Sequence, residues 1–166
     1  LMFSIIIPTF NNLEYLKITI NSILKNSKFE HDIIVHVNDG IDGSLEYVKK
    51  NNYNFTFSKN NLGLCSSVNL AAKKASTNYI LYSHDDMYFC PDWDNALLNE
   101  VKKINTDKFY LSASMIEKDS GHIQFDAGDT FENLNEKKLL SNLDNIKYYD
   151  FQGSHWAPHL ITKDIW

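Results

Sequence analysis

The sequence predicts an α/β domain with a mostly parallel sheet flanked by helices, and three observations lead to this prediction. Apolar runs at residues 3–7, 33–37 and 79–82 do not alternate with polar residues, which is typical of strands buried on both faces of a sheet. Segments with apolar residues at helical spacing stand between these runs, joined by short connections. Polar turns follow the runs, and parallel strands would bring those turns to one edge of the sheet.

The same patterns predict the individual strands and helices along the chain. Strands are predicted at residues 3–8, 33–37, 54–57 and 78–82, with helices over 13–25, 44–50 and 64–75 between them. Asn11 or Asn12 is expected to cap the first helix. Pro91-Asp92 then signals a further helix, which is followed by a strand at 109–115, a hairpin arm or edge strand at 121–126, a short helix at 136–140 inside a polar loop, and a helix start at Lys163.

Composition and charge limit the classes of protein to which this chain can belong. The chain has 166 residues, of which 43% are hydrophobic, enough for one domain (1–166) with a real core. A net charge of −5 argues against nucleic acid as a partner. The run at 3–7 lacks a preceding basic segment and is too short to cross a bilayer. Cys65 and Cys90 are expected to be buried free thiols in a reducing, cytoplasmic compartment, with peripheral membrane association left open.

The turn Ser83-His84-Asp85-Asp86 carries the sharpest chemical signal. Two adjacent carboxylates directly after a buried strand repel each other unless a cation or hydrogen-bond donors meet them. The carboxyl end of a strand in an open α/β sheet is also where ligands bind. These residues therefore predict a site for a divalent metal and a phosphate.

Four ordered stretches resemble the nucleotide-sugar-dependent glycosyltransferases of family 2. They are the first strand with its Pro-Thr-aromatic-Asn turn at 3–12, Val37-Asn-Asp-Gly40 followed by 42–44, Asn61-Leu-Gly63 with Asn69, and 83–86 with Pro91 and Trp93. The resemblance implies the Rossmann-like GT-A fold with a small antiparallel or irregular extension on the acceptor side. Residues 1–106 would form the nucleotide-sugar-binding half, and 107–166 part of the acceptor-side half.

The resemblance also implies which residues bind the nucleotide. They are Pro8, Thr9, Phe10, Asn11, Asp39, Asn61, Gly63, Asn69, His84 and Asp85. Thr9 and Asp39 would hold the nucleoside, because a carboxylate can accept the imide N–H of uracil. The Asp39 turn is one residue shorter than the family pattern, and Asn38 stands where the family has Asp. For Asn61 and Asn69, bracing of loops is an equal alternative to ligand contact.

The implied metal is Mn²⁺ or Mg²⁺, held by Asp85 and Asp86. A hard cation bridges carboxylate and diphosphate oxygens and stabilises the departing nucleoside diphosphate. Ser83 occupies the first acidic position of the family's Asp-x-Asp motif, so Asp85 is the better ligand. His155 or His159 could add a ligand or act as a base, with Trp156 as a platform for a sugar ring; a packed aromatic edge is the equal alternative.

The function implied is inverting transfer of a sugar from a nucleoside diphosphate sugar, with UDP expected, to a saccharide, lipid-linked or protein acceptor. The family's general base would follow the helix that starts at Lys163, so it is expected beyond Trp166 in a longer protein. A domain that binds nucleotide-sugar without transferring it is the alternative. A sugar nucleotidyltransferase is disfavoured because residues 8–12 contain neither Gly nor Arg. The oligomeric state is left open.

Overall fold

The computed structural model describes residues 1–146 and 156–166 and contains a six-stranded sheet with helices on both faces. The strands, in chain order, are β1 (Ser4–Phe10), β2 (Asp32–Asn38), β3 (Asn54–Ser58), β4 (Tyr79–Tyr82), β5 (Tyr110–Ser112), β6 (Ile116–Glu117), β7 (Ile123–Gln124) and β8 (His159–Thr162). The helices are α1 (Leu13–Asn26), α2 (Ser44–Lys50), α3 (Leu64–Ala72), α4 (Trp93–Val101) and α5 (Glu136–Asn142).

The sheet order is β3-β2-β1-β4-β8-β5, and its first four strands are parallel. The predicted α/β fold with a mostly parallel, helix-flanked sheet is therefore confirmed. Because β2 lies on one side of β1 and β4 on the other, the strand order reverses beside β1. That reversal is the topological switch point at which open α/β sheets bind ligands.

Two apolar layers hold the helices on the sheet. Leu16, Ile20 and Ile23 of α1 pack with residues of α2 and α4 on one face, against β-strand side chains such as Ile5 and Val35. On the other face, α3 covers Ile6, Ile34 and Ile80 with small residues. Burial on both faces explains why the strands read as continuous apolar runs.

The first turn of α1 is capped by a residue from another loop. Neither predicted cap is used: Asn12 stands at the N-cap position without a side-chain capping bond. Instead, the backbone N–H of Leu13 donates to Asp42 Oδ2 over 2.7 Å, and Ser44 donates to the same carboxylate at the start of α2. The Asp42 loop therefore holds the starts of α1 and α2 together, at the edge of the sheet where the polar turns lie.

The sheet's far side differs from the prediction. An antiparallel or irregular extension was expected here, but no strand was predicted at β8, which lies between β4 and β5 and pairs antiparallel with both. Four residues are too few to show a period, and both partners of β8 are distant in sequence. The expected edge strand at 121–126 contributes only β7, which pairs with β6 apart from the main sheet. The helix start at Lys163 is a single 3-10 turn, Lys163–Ile165.

The expectation of two buried thiols was wrong for Cys65. This residue is exposed, and Cys90 is partly buried. Cys65 lies in the first turn of α3, where burial against the sheet begins only at Ser67. Within the two described ranges, no helix is long and apolar enough to cross a membrane.

Candidate functional site

The candidate site is a crevice between the carboxyl ends of β1 and β4. The pairing of β1 with β2 continues to Phe10 and Asn38, but the pairing of β1 with β4 stops at Ile6 and Tyr82. Beyond that point the two strands separate. Pro8 lies in the separated part, where its lack of an N–H costs no ladder hydrogen bond toward β4.

The end of β1 bonds a carboxylate on each of its two sides. Toward β4, the Thr9 hydroxyl donates to Asp85 Oδ2 over 2.6 Å. Toward β2, Asn11 Nδ2 donates to Asp39 Oδ2 over 3.1 Å. Four of the residues predicted from sequence are thus brought together at the switch point, with one strand end linking the two acidic turns.

The turns that carry Asn11 and Asp39 use the left-handed backbone conformation, with φ angles of 48° and 63°. Asn and Asp adopt this conformation more readily than other non-glycine residues, because their short polar side chains can hydrogen-bond locally. The Asn11 Oδ1 atom is buried, and no group in residues 1–146 or 156–166 donates to it.

Asp85 is partly buried, whereas its neighbour Asp86 is exposed. Burial raises the pKa of Asp85, and the charge of Asp86 raises it further, while hydrogen bonds from Thr9 and Asn12 lower it in part. His84 Nδ1 lies 4.0 Å from Asp86 Oδ1 and is also exposed. A cation at this corner would therefore relieve both the desolvation of Asp85 and the repulsion between the two carboxylates.

Ser83 stands at the position of an acidic residue in the family motif, but its side chain is turned away from the crevice. It is fully buried, its N–H donates to the Ile6 carbonyl, and its hydroxyl donates to the His84 carbonyl. Among the described residues, no three His, Cys, Asp or Glu side chains form a group that could hold a metal ion. Two carboxylates still fit Mg²⁺ or Mn²⁺, because Mg²⁺ is usually held through one or two carboxylates together with substrate phosphates and water.

The other residues predicted to bind nucleotide differ in their surroundings, and Asn69 lies within α3 and not at the end of a strand. Phe10 is 51% exposed at the end of β1, and Gly63 has a φ of 75° with open space where a side chain would be. Asn61 Oδ1 accepts the Gly63 N–H, and Asn69 Oδ1 accepts the Trp166 indole N–H. Both asparagines therefore brace the chain, and neither bonds to Asp39 or Asp85 within the described residues.

An aromatic stack adjoins the acidic turn on the β8 side. The His159 ring stacks on Tyr82 and Tyr110, at centroid distances of 6.1 and 4.6 Å. Burial lowers the pKa of His159, with His84 adding to the effect, so the imidazole is neutral at pH 7. The 37% exposed Trp156 lies three residues before His159, while His155 falls outside the described residues.

Asn38, which sequence reasoning noted only as a departure from the family, is the polar centre below the site. Its Nδ2 donates to the Thr9 carbonyl and to Ser67 Oγ. Its Oδ1 accepts from the Leu62 N–H and from two serine hydroxyls. The sequence signal for a hydrogen-bonded polar centre is a polar residue at the end of a strand that is predicted to be buried, since buried polar groups are normally hydrogen-bonded.

A buried histidine extends this network along β2 and predicts a pH-dependent stability. His36 is fully buried, with Nδ1 at 2.7 Å from the Thr56 hydroxyl and Nε2 at 3.2 Å from the Ser58 hydroxyl. Burial lowers the pKa of His36 below its ordinary value of about 6.5, so the unfolded chain binds the proton more readily. The stabilising effect is therefore complete above pH 6.5 and is lost as the pH falls toward the lowered pKa.

We expect the free energy of unfolding, measured by urea denaturation, to fall between pH 7.5 and 5.5, and to fall less steeply in a His36→Gln variant. Glutamine cannot be protonated but retains a donor and an acceptor. The opposing effect of Asp85, whose raised pKa favours the fold at low pH, is common to both proteins. An equal pH slope in the two proteins would contradict this role of His36.

Comparison with known proteins identifies a matching protein family. The family model described as "Glycosyl transferase family 2" matches residues 4–159. The uncharacterized glycosyltransferase RT0329 of Rickettsia typhi is 33% identical over 171 residues, which are 98% of this chain and 52% of the relative. The chain spans between 17% and 52% of the length of the curated relatives that it matches.

Solved structures share the fold. The crystal structure of S. aureus TarS 1-349 in complex with UDP-GlcNAc matches with a TM-score of 0.61 at 24% identity, over 73% of this chain and 36% of that one. The mannosyltransferase PcManGT from Pyrobaculum calidifontis, in complex with GDP-Man and Mn²⁺, matches with a TM-score of 0.54 at 18% identity, over 66% and 34%. At these identities the likeness concerns the GT-A fold alone.

Proposed function

The chain belongs to glycosyl transferase family 2, and on that premise we propose that it carries the donor site of an inverting glycosyltransferase that uses a nucleoside diphosphate sugar. The observation that carries this proposal is that the end of β1 holds Asp39 on one side and Asp85 on the other. A nucleoside diphosphate has two chemically different parts to be bound, the nucleoside and the diphosphate. Its site therefore needs two different sets of protein side chains a short distance apart. One acidic turn would serve the base, and the other would serve the metal and diphosphate.

The nucleoside would lie on the β2 side of the crevice. Asp39 would accept the imide N–H of uracil, while Asn11 holds the Asp39 carboxylate through Nδ2. The exposed Phe10 ring adds an apolar surface beside them. UDP is the first nucleotide to test, because an imide donor suits a carboxylate. GDP is the second, since the PcManGT neighbour is described with GDP-Man.

The diphosphate would lie on the β4 side. Asp85 and Asp86 would hold Mn²⁺ or Mg²⁺, which supplies Lewis-acid stabilisation of the departing nucleoside diphosphate. The PcManGT neighbour, described with Mn²⁺, supports the use of a divalent metal in this fold. The chain's own contribution is to keep Asp85 hydrogen-bonded at the crevice and to leave Asp86 accessible from solvent.

The acceptor would approach past the aromatic stack. Tyr110 is 60% exposed and Trp156 is 37% exposed, so both present ring surface to a saccharide, lipid-linked or protein acceptor. Inversion requires a base that takes the proton of the attacking hydroxyl. Of the described residues, His159 stays a predicted candidate for that base or for a further metal ligand; it adjoins the acidic turn but is 7% exposed, between the rings of Tyr82 and Tyr110.

Calorimetry with UDP tests the acidic corner. We expect Mn²⁺ to strengthen UDP binding to the unaltered chain. The variant Asp85→Asn should weaken binding in Mn²⁺ by at least about tenfold, because it removes the charge of one of only two carboxylate ligands. In the presence of a chelator, UDP should bind the variant and the unaltered chain alike.

An exposed aspartate provides the control. Asp107 precedes β5 at the opposite end of the sheet, and Asp107→Asn should leave UDP binding unchanged in both conditions. Equal affinity of the unaltered chain for UDP in chelator and in Mn²⁺ would remove the proposed metal role. Slow hydrolysis of UDP-sugar in Mn²⁺ would distinguish a transferase from a protein that only binds the donor.

A further inference from the structure

Thr9 offers no accessible surface to a nucleoside. Only 2% of its surface is exposed, and its hydroxyl proton is used in the 2.6 Å hydrogen bond to Asp85 Oδ2. We infer that Thr9 is a positioning residue that orients the metal-binding carboxylate across the crevice, and that it is not a nucleoside ligand. This inference rests on the proposed function of Asp85.

Thr9 is itself held in place by the fold. Its backbone is paired with Val37 of β2, and its carbonyl accepts the Asn38 Nδ2 at 3.3 Å. The hydroxyl therefore projects from a fixed strand toward Asp85, which lies in a turn beyond the end of β4. Since the ladder between β1 and β4 ends at Ile6 and Tyr82, the Thr9 hydrogen bond is a side-chain link across the gap.

The departure at Ser83 explains why such a link matters in this chain. With Ser83 turned inward to the His84 carbonyl, Asp85 is the only partly buried carboxylate of the turn. A single carboxylate on a turn can rotate, and ordering it costs part of the binding free energy. The bond from Thr9, assisted by Asn12, fixes Asp85 before the cation arrives.

Three variants separate positioning from nucleoside contact. Thr9→Val keeps the shape and removes the hydroxyl, whereas Thr9→Ser keeps the hydroxyl. The control is Thr162→Val, which removes a hydrogen bond of the same length, to the Asp107 carbonyl, at the opposite end of the sheet. UDP affinity is measured for each by calorimetry in Mn²⁺ and in chelator, and the fold is checked by thermal unfolding.

We expect Thr9→Val to weaken UDP binding in Mn²⁺ by about tenfold, as loss of an outer-shell partner commonly does, and to leave binding in chelator unchanged. Thr9→Ser and Thr162→Val should bind as the unaltered chain does. Unchanged binding of Thr9→Val in Mn²⁺, or weaker binding in chelator as well, overturns the inference while the proposed function stands. A lack of any metal-dependent binding by the unaltered chain overturns the proposed function and this inference with it.

Discussion

Replacement of Asp94 by alanine is expected to lower the free energy of unfolding by about 3 kcal/mol, because it removes a buried carboxylate from a full set of donors. Asp94 is fully buried and accepts the backbone N–H groups of Lys28, Phe29 and Asn95. It also accepts the His31 Nε2–H over 3.0 Å. Burial alone would raise the pKa of Asp94, but these bonds outweigh it and hold the pKa below its usual value.

The hydrogen bonds of His31 determine which of its ring nitrogens carries the proton. Its Nδ1 accepts the Phe3 N–H at 3.3 Å, so the proton of the neutral ring is on Nε2 and points at Asp94. The cluster joins the end of α1, the start of β2 and the start of α4, at the sheet edge opposite the crevice. Its loss should therefore reduce stability while leaving the affinity of the remaining folded protein for UDP unchanged.

The neighbouring Asp92 provides a matched control. Asp92 also carries a carboxylate near Lys28, at 2.6 Å from its Nζ, but its side chain is 46% exposed. Exposed ion pairs contribute little. The urea midpoint of Asp92→Asn, which removes the charge and keeps a residue type that tolerates the φ of 68°, should therefore remain close to that of the unaltered chain, while that of Asp94→Ala drops. Equal drops for the two variants would contradict the assignment of Asp94 as a buried structural carboxylate.

The parts of the fold that could be predicted from sequence are those whose signal is local. Residues 33–37 read as a strand because both faces of β2 are covered, and residues 44–50 begin and end where α2 does. The carboxylates of Asp39 and Asp85 were predictable for the same reason, since each follows its strand directly. Parallel pairing then determines that they meet at one edge.

The rest depends on contacts between distant residues. Nothing near His159 indicates that β8 lies between β4 and β5, because both pairings join segments far from it along the chain. The partner of the Thr9 hydroxyl, Asp85, is likewise 76 residues away, so the sequence near Thr9 does not indicate this hydrogen bond. Capping by Asp42 belongs to the same class, since the sequence shows only that Asn12 is a possible local cap.

Substitution of Asn38 is expected to lower both the free energy of unfolding and the affinity for UDP. Asn38→Leu preserves approximate volume but removes every hydrogen bond of a 3% exposed side chain. It leaves the Leu62 N–H and the Thr9 carbonyl without their side-chain partner. We expect the free energy of unfolding to fall by about 3 kcal/mol, since buried groups without partners cost about 1–3 kcal/mol each.

The same variant should weaken UDP binding, because the two groups that it releases are parts of the crevice. The Thr9 carbonyl belongs to the strand end that holds Asp85, and Leu62 lies in the turn that leads to α3. Asn38→Asp separates the two effects: its carboxylate still accepts from Leu62 and both serines but faces the Thr9 carbonyl with an oxygen. If anchoring of Thr9 is what the site requires, Asn38→Asp loses Mn²⁺-dependent affinity as Asn38→Leu does. Full affinity of Asn38→Asp for UDP would instead mean that Asn38 supports the crevice through its hydrogen bond to the Leu62 N–H, and not through its hydrogen bond to the Thr9 carbonyl.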